Sequence, residues 1–158
     1  MTDALAFHDF SHVTIRVTDM DRSLVFYRDG LGLRVIFDVR LAGPGLEGVT
    51  RSAGASGRMV GLLVPGFGRV SIELLAFDAP RSERPPRGRF TGYANVALSV
   101  PDLDAAFTEC ERRGLGPLQR PVEVGGVRMF FLADPDGTPI ELIEFPRGVT
   151  TSAAHNGA

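Results

Sequence analysis

The chain reads as an α+β protein built from two tandem βαβββ modules, and three features of its 158 residues say so. The phrase IELLAF at 72–77 recurs as IELIEF at 140–145. The segment HVTIRVTDMD, from His12, aligns without a gap on NVALSVPDLD, from Asn95, at an offset of 83. After each of these segments the apolar period passes from two to that of a helix, then back to two.

Each element has a local reason. Val13, Ile15 and Val17 make one apolar strand face in the first copy, and Val96, Leu98 and Val100 make its counterpart. The alternate positions are His12, Thr14 and Arg16 in one copy, and Asn95, Ala97 and Ser99 in the other. Asp19 and Asp102 are suited to cap the helices that follow, where unsatisfied backbone N–H groups favour a short acidic side chain. Leu24, Phe26, Tyr27 and Leu31 form the expected buried stripe of the first helix; Leu103, Ala106, Phe107 and Cys110 form that of the second. Gly30 or Gly32 ends the first helix and Gly114 the second. Strands are then expected over 33–40, 58–64 and 70–77, and over 118–124, 127–132 and 139–145. PGFG at 65–68, Gly125-Gly126 and DPDG at 134–137 supply the hairpin turns.

The modules are therefore expected at 10–78 and 93–146, after an N-terminal extension over 1–9. A proline- and arginine-rich linker over 79–92 joins them, and a tail over 147–158 without apolar periodicity is expected to be disordered, with His155 no ligand. The two glutamates, Glu73 and Glu141, lie 68 apart rather than 83, so the first module holds 15 extra residues. These fall in 41–57, which has five glycines and no strand pattern and is expected to be a structureless surface loop or a lid. The linker arginines either guide an anionic substrate or simply face solvent.

Composition limits the setting. With 44% hydrophobic and 23% charged residues the chain resembles a soluble globular protein. A net charge of −2 gives no basic field for nucleic acid or an anionic membrane. All 17 basic residues are arginine, which we attribute to composition rather than function. The single cysteine, Cys110, excludes an internal disulfide and a cysteine-rich metal site, and its spacing beside Phe107 reads as packing. No apolar stretch reaches the roughly 20 residues of a bilayer span, and the first residues lack a signal-peptide pattern. A cytoplasmic protein is the expectation.

The repeated glutamate is the informative feature. Alternation places Glu73 with Ser71, Leu75 and Phe77, and Glu141 with Ile143 and Phe145, opposite the apolar face that packs on the helices. His12 and Asn95 belong to the same faces as these glutamates. Carboxylates in an apolar setting are costly unless they are paired or hold a cation. The competing explanations are strand ends in water, or pairing of Glu73 or Glu141 with Arg16 or Arg128.

SHVTIRVTDMDRSLVFYRDGLGL, GRVSIELLAF, YANVALSVPDLDAAFTECERRGL and FFLADPDGTPIELIEF, in this order, resemble the vicinal oxygen chelate superfamily of glyoxalases, epimerases, extradiol dioxygenases and bleomycin-resistance proteins. The resemblance covers nearly all of 10–145. It implies a curved, cup-shaped mixed sheet with helices on its outer face and a divalent metal inside. The implied ligands are His12, Glu73, Asn95 and Glu141. Asn95 departs from the family, where histidine is usual. One nitrogen and three oxygens would favour nickel, cobalt, manganese, iron(II) or magnesium over tightly bound zinc. Asn95 also leaves open that the metal has been lost and that the cup binds a ligand without it.

The resemblance further implies a metal-dependent isomerase or lyase acting on a small oxygenated substrate, with Glu141 as ligand and base. Glu47 is a second candidate base, or a solvated loop residue. Arg16, Phe77 and Arg128 are the candidate substrate-binding residues; Arg16 is equally a salt-bridge partner by its position. The expected partners are a small-molecule substrate or ligand and a second copy of the chain, with no nucleic acid or membrane. The alternatives are a metal-free binder of the bleomycin-resistance kind and a biosynthetic tailoring enzyme.

Overall fold

The computed structural model describes residues 11–66, 72–83 and 95–149. The expected N-terminal extension, the second half of the 65–68 turn, residues 84–92 of the linker and the tail from 150 lie outside the described residues. Contacts group the described residues of Met1–Met20 and Gly32–Glu83 into one unit, and those of Asp21–Leu31 and Arg84–Ala158 into a second. The first helix thus groups by its contacts with residues of the second half of the chain.

The first unit holds strands β1 (Val13–Arg16), β2 (Arg34–Ala42), β3 (Ser56–Leu63) and β4 (Ile72–Ala79) in the order β1-β4-β3-β2. β1 runs parallel to β4, and the remaining pairs are antiparallel. One face is apolar as alternation requires: Ile15, Val60, Leu62, Ile72 and Leu74 are all buried. Each such side chain contributes roughly 1.5–3 kcal/mol by leaving water. On the opposite face the register runs Thr14, Glu73, Gly61, Phe37 across the four strands. A bulge at Ile36 turns Phe37 onto this face, where its ring occupies the space that a Cβ at Gly61 would need. Only glycine at 61 lets that ring lie across the strand.

Residues 41–57 are not the structureless insertion expected from their composition. β2 continues through Ala42, a short helix α2 spans Pro44–Thr50, and β3 begins at Ser56. Gly45 and Gly48 each cost such a helix about 1 kcal/mol relative to alanine, which is why the composition argued against it. Pro44 at the first helical turn was the opposing signal. The helix closes on Arg51, which takes a left-handed conformation (φ 56°), and Glu47 Oε1 accepts the Gly54 N–H at 2.9 Å.

In the second unit β5 (Val96–Ser99), β6 (Val122–Val124), β7 (Val127–Ala133) and β8 (Pro139–Glu144) are ordered β5-β8-β7-β6, repeating the first topology. Helix α3 (Leu103–Arg112) starts where expected, with Asp102 Oδ1 accepting the Ala105 N–H at 2.9 Å. Its Phe107 ring meets Phe130 edge-on at 5.3 Å over the buried Phe130, Leu132 and Ile140. The strand expected at 118–124 shrinks to Val122–Val124. Pro121 has no N–H to give the ladder, leaving Leu118 a single bond to the Phe131 carbonyl at 2.8 Å.

Helix α1 (Met20–Leu24) continues as a π-helix over Val25–Gly30, with the Leu31 N–H donating to the Phe26 carbonyl five residues back. This wider turn shifts the stripe. Leu24, Phe26 and Tyr27 are buried, while Leu31 is only half-buried. The Tyr27 hydroxyl donates to Asp134 Oδ2 at 2.9 Å in the turn between β7 and β8. Among the described residues no helix is long and apolar enough to cross a membrane.

Candidate functional site

The β1–β4 register brings His12 and Glu73 together in the first unit. Parallel pairing sets Thr14 beside Glu73, so His12, one step before the strand on the same face, reaches the carboxylate. Nε2 of His12 lies 3.4 Å from Glu73 Oε2, and Nδ1 of His12 lies 2.9 Å from the Ser11 hydroxyl. Glu73 is only 9% exposed. Among the described residues its carboxylate accepts no hydrogen bond. A buried carboxylate left so is costly, and native proteins supply such groups with a proton donor, water or an ion.

The second unit repeats the register residue for residue, with Ala97 beside Glu141 and Asn95 one step before β5. Its chemistry differs. Asn95 Nδ2 donates to Glu141 Oε2 at 2.6 Å, and both side chains are half-buried. Phe131 occupies the position across from Glu141 that Gly61 occupies across from Glu73.

The first pair fits a divalent metal. Two ligand atoms on one ion with bonds of about 2.0–2.2 Å stand roughly 3–3.5 Å apart, which is the separation of Nε2 and Oε2 here. The second pair offers the free oxygen of Glu141, while the Asn95 amide spends an N–H on its neighbour. Within neither unit do three or more His, Cys, Asp or Glu side chains gather among the described residues.

The other candidates separate clearly. Arg128 pairs across the strands with Glu144, three residues from Glu141 and therefore on the opposite face. It sits with Phe130 and Leu132 on the helix side, bound to Asp104 at 2.7 Å and Glu144 at 3.2 Å. The sequence makes Arg128 a candidate for substrate binding or for pairing with Glu141; strand alternation puts it on the face opposite Glu141, where it pairs with Asp104 and Glu144 instead. Arg16 and Phe77 do come together, the guanidinium lying 5.4 Å from the ring centroid. They line a cavity of about 360 Å³ with Val49, Thr50, Arg81 and Glu83. Arg81 is one of the linker arginines considered from the sequence, whereas Val49, Thr50 and Glu83 escaped that reading because α2 and the segment after β4 looked like loop and linker. Glu47 is half-buried and closes the α2 turn. Burial raises the Cys110 thiol above its usual range, as a packing residue should be.

Residues 9–142 match the model of the Glyoxalase/Bleomycin resistance protein/Dioxygenase superfamily. The chain belongs to this superfamily. It is similar to the Escherichia coli protein YaeR, with 33% identity over 84% of this chain and 93% of the relative. It is 31% identical to the lactoylglutathione lyase of Haemophilus influenzae over 84% of this chain and 90% of that enzyme. Among solved structures, a glyoxalase family protein from Bacillus cereus superposes with a TM-score of 0.73 at 22% identity, over 89% of this chain and 98% of that one. The two four-stranded mixed sheets are thus the superfamily's βαβββ fold.

Proposed function

We propose that this member of the superfamily is a divalent-metal-dependent lyase or isomerase acting on a small oxygenated substrate. The observation that carries the reading is Glu73, a buried carboxylate that has no hydrogen bond among the described residues and lies beside the His12 imidazole. In the first unit His12 and Glu73 are the proposed metal ligands; in the second, Glu141 and, as a weaker donor, the Asn95 oxygen are proposed for that role. Donation from His12 Nδ1 to Ser11 would leave the Nε2 lone pair facing Glu73, the form a metal requires. When bound, the ion supplies Lewis-acid stabilisation of charge developing on a substrate oxygen. Among the metals, this donor set favours nickel, cobalt, manganese, iron(II) or magnesium.

Glu141 is the proposed base. Asn95 holds Oε2, which orients the carboxylate and leaves Oε1 to take a proton from the carbon beside a carbonyl and return it elsewhere. The similarity to a lactoylglutathione lyase supports a reaction of this class. Glu47 serves the α2 turn in this reading rather than the chemistry. A cytoplasmic homodimer is the setting we infer for it.

The test is deuterium incorporation from D2O into a panel of α-hydroxycarbonyl compounds, with metal-loaded and chelator-stripped protein. Metal-dependent incorporation, lost in Glu141→Gln, is expected. Incorporation that is unchanged by stripping, or absent across the panel, contradicts the reading. The competing reading, a metal-free binding protein, draws on the Asn95–Glu141 pair, which satisfies itself without an ion.

A further inference from the structure

Glu73 and Glu141 each have a phenyl ring on the flank away from the first strand of their sheet, and the two rings arrive by different routes. In the second unit the ring belongs to the cross-strand partner itself, Phe131 beside Glu141. In the first unit the partner of Glu73 is Gly61, which has no side chain, and the ring comes from Phe37, one strand further out. Phe37 Cδ1 and Cζ both lie 2.6 Å from the point that a Cβ of Gly61 would occupy. Cross-strand partners hold their Cβ positions roughly 5 Å apart on one face, so this ring borders the Glu73 side chain. Two separate features are needed for it: the bulge at Ile36, which turns Phe37 over, and the glycine at 61.

The other flank is open. Thr14 and Ala97, the parallel partners of Glu73 and Glu141, are both short and exposed. A carboxylate walled by a ring on one side and bordered by a short residue on the other is directed towards the first strand, where His12 and Asn95 stand in their respective units. The wall also thins the water around it. An apolar screen of this kind raises the cost of an unmatched carboxylate and strengthens its attraction to a cation.

We infer that Phe37 is a positioning residue for Glu73: laid over Gly61, its ring takes the place that Phe131 fills beside Glu141, screens one flank of the carboxylate and leaves it to face His12. The effect of Phe37 on a bound metal rests on the proposed metal-dependent function; the screening itself does not.

Urea unfolding of the full chain without metal, in a double-mutant cycle of Phe37→Ala with Glu73→Gln, tests the screening. Losing the ring costs packing in either background, but with Glu73 present that loss is offset by water reaching the carboxylate. Phe37→Ala should therefore raise the unfolding equilibrium constant at least threefold more in the Glu73→Gln background than in wild type. Should Phe37→Ala not fold, Gly61→Ala takes its place in the cycle, because it displaces the ring without removing it. Coupling below threefold, or of the opposite sign, overturns the inference. Nickel titration of the same variants reads the second consequence. Phe37→Ala should weaken nickel binding about tenfold. Adding Gly61→Phe, which moves the ring to the position that Phe131 holds in the second unit, should restore binding to within threefold of wild type. No loss in Phe37→Ala, or a loss that the relocated ring does not repair, makes Phe37 a packing residue and overturns its positioning role. A wild type that binds no nickel removes the lyase reading alone, and the unfolding cycle then decides on the ring.

Discussion

Two carboxylates among the described residues are almost wholly buried, and their surroundings are opposite. Asp134, 4% exposed in the second unit, accepts from the Tyr27 hydroxyl, the Asp136 N–H and the Thr138 N–H, at 2.9, 2.9 and 2.7 Å. Glu73, 9% exposed in the first, has the His12 nitrogen at 3.4 Å and no hydrogen bond among the described residues. Burial alone therefore does not identify a functional carboxylate. A structural one has its oxygens matched by donors that belong to the fold, whereas a ligand-binding one is left with capacity. Glu141 lies between the two, one oxygen held by Asn95 and the other available.

The largest expected effect is on Asp134. Asp134→Ala strips three donors of their acceptor and unties the π-helix from the β7–β8 turn, so it should cost on the order of 3 kcal/mol in urea unfolding. A loss below about 1 kcal/mol would mean that the contrast with Glu73 has been overdrawn. Next comes Asn95→His, which replaces a neutral amide by an imidazole donor. Nickel affinity should rise about tenfold, or about 1.4 kcal/mol, as read by competition with a chromophoric chelator. An unchanged or weaker affinity would show that position 95 faces no metal.

Glu73→Gln should behave unlike Asp134→Ala in the metal-free protein. It removes a buried charge that lacks a hydrogen bond among the described residues, so stability should stay level or rise by up to about 1 kcal/mol. A loss of 2 kcal/mol or more would reveal Glu73 as a structural group. The smallest effect concerns the end of α3, where Arg112 and Arg113 hydrogen-bond Glu109 and lower its pKa from 4.5 to about 2. A carboxylate with a lowered folded-state pKa contributes stability above its unfolded value, and that contribution fades as pH falls from 4.5 towards 2. Solvent screens these surface pairs, so the wild-type advantage over Glu109→Gln in thermal unfolding should be slight at pH 5 and vanish near pH 2.

Much of this arrangement was legible in the sequence because it rests on repetition and on strand alternation. The offset between His12 and Asn95 aligned two strands, and period two put each next to its glutamate; the registers of β1–β4 and β5–β8 have that form. Arg128 could have been placed by the same rule, since Phe130 and Leu132 share its parity and are buried on the helix side. Other features depended on physics that local pattern does not carry. Helix α2 forms despite two glycines because Pro44 starts it and Glu47 closes it. The π-turn after Leu24 changes the phase of a stripe that reads as α-helical, and the grouping of that helix with the second unit is set by Asp134, more than a hundred residues later in sequence. The Asn95 hydrogen bond was likewise invisible, because an amide at a ligand position can turn either its oxygen or its N–H towards a carboxylate.

The central claim is that His12 and Glu73 hold a divalent metal, and isothermal titration of chelator-stripped protein with nickel tests it directly. Wild type should bind about one equivalent per chain, and Glu73→Gln and His12→Ala should each weaken binding at least a hundredfold, or about 2.7 kcal/mol. No binding at millimolar nickel, or affinity unchanged by either substitution, would contradict it.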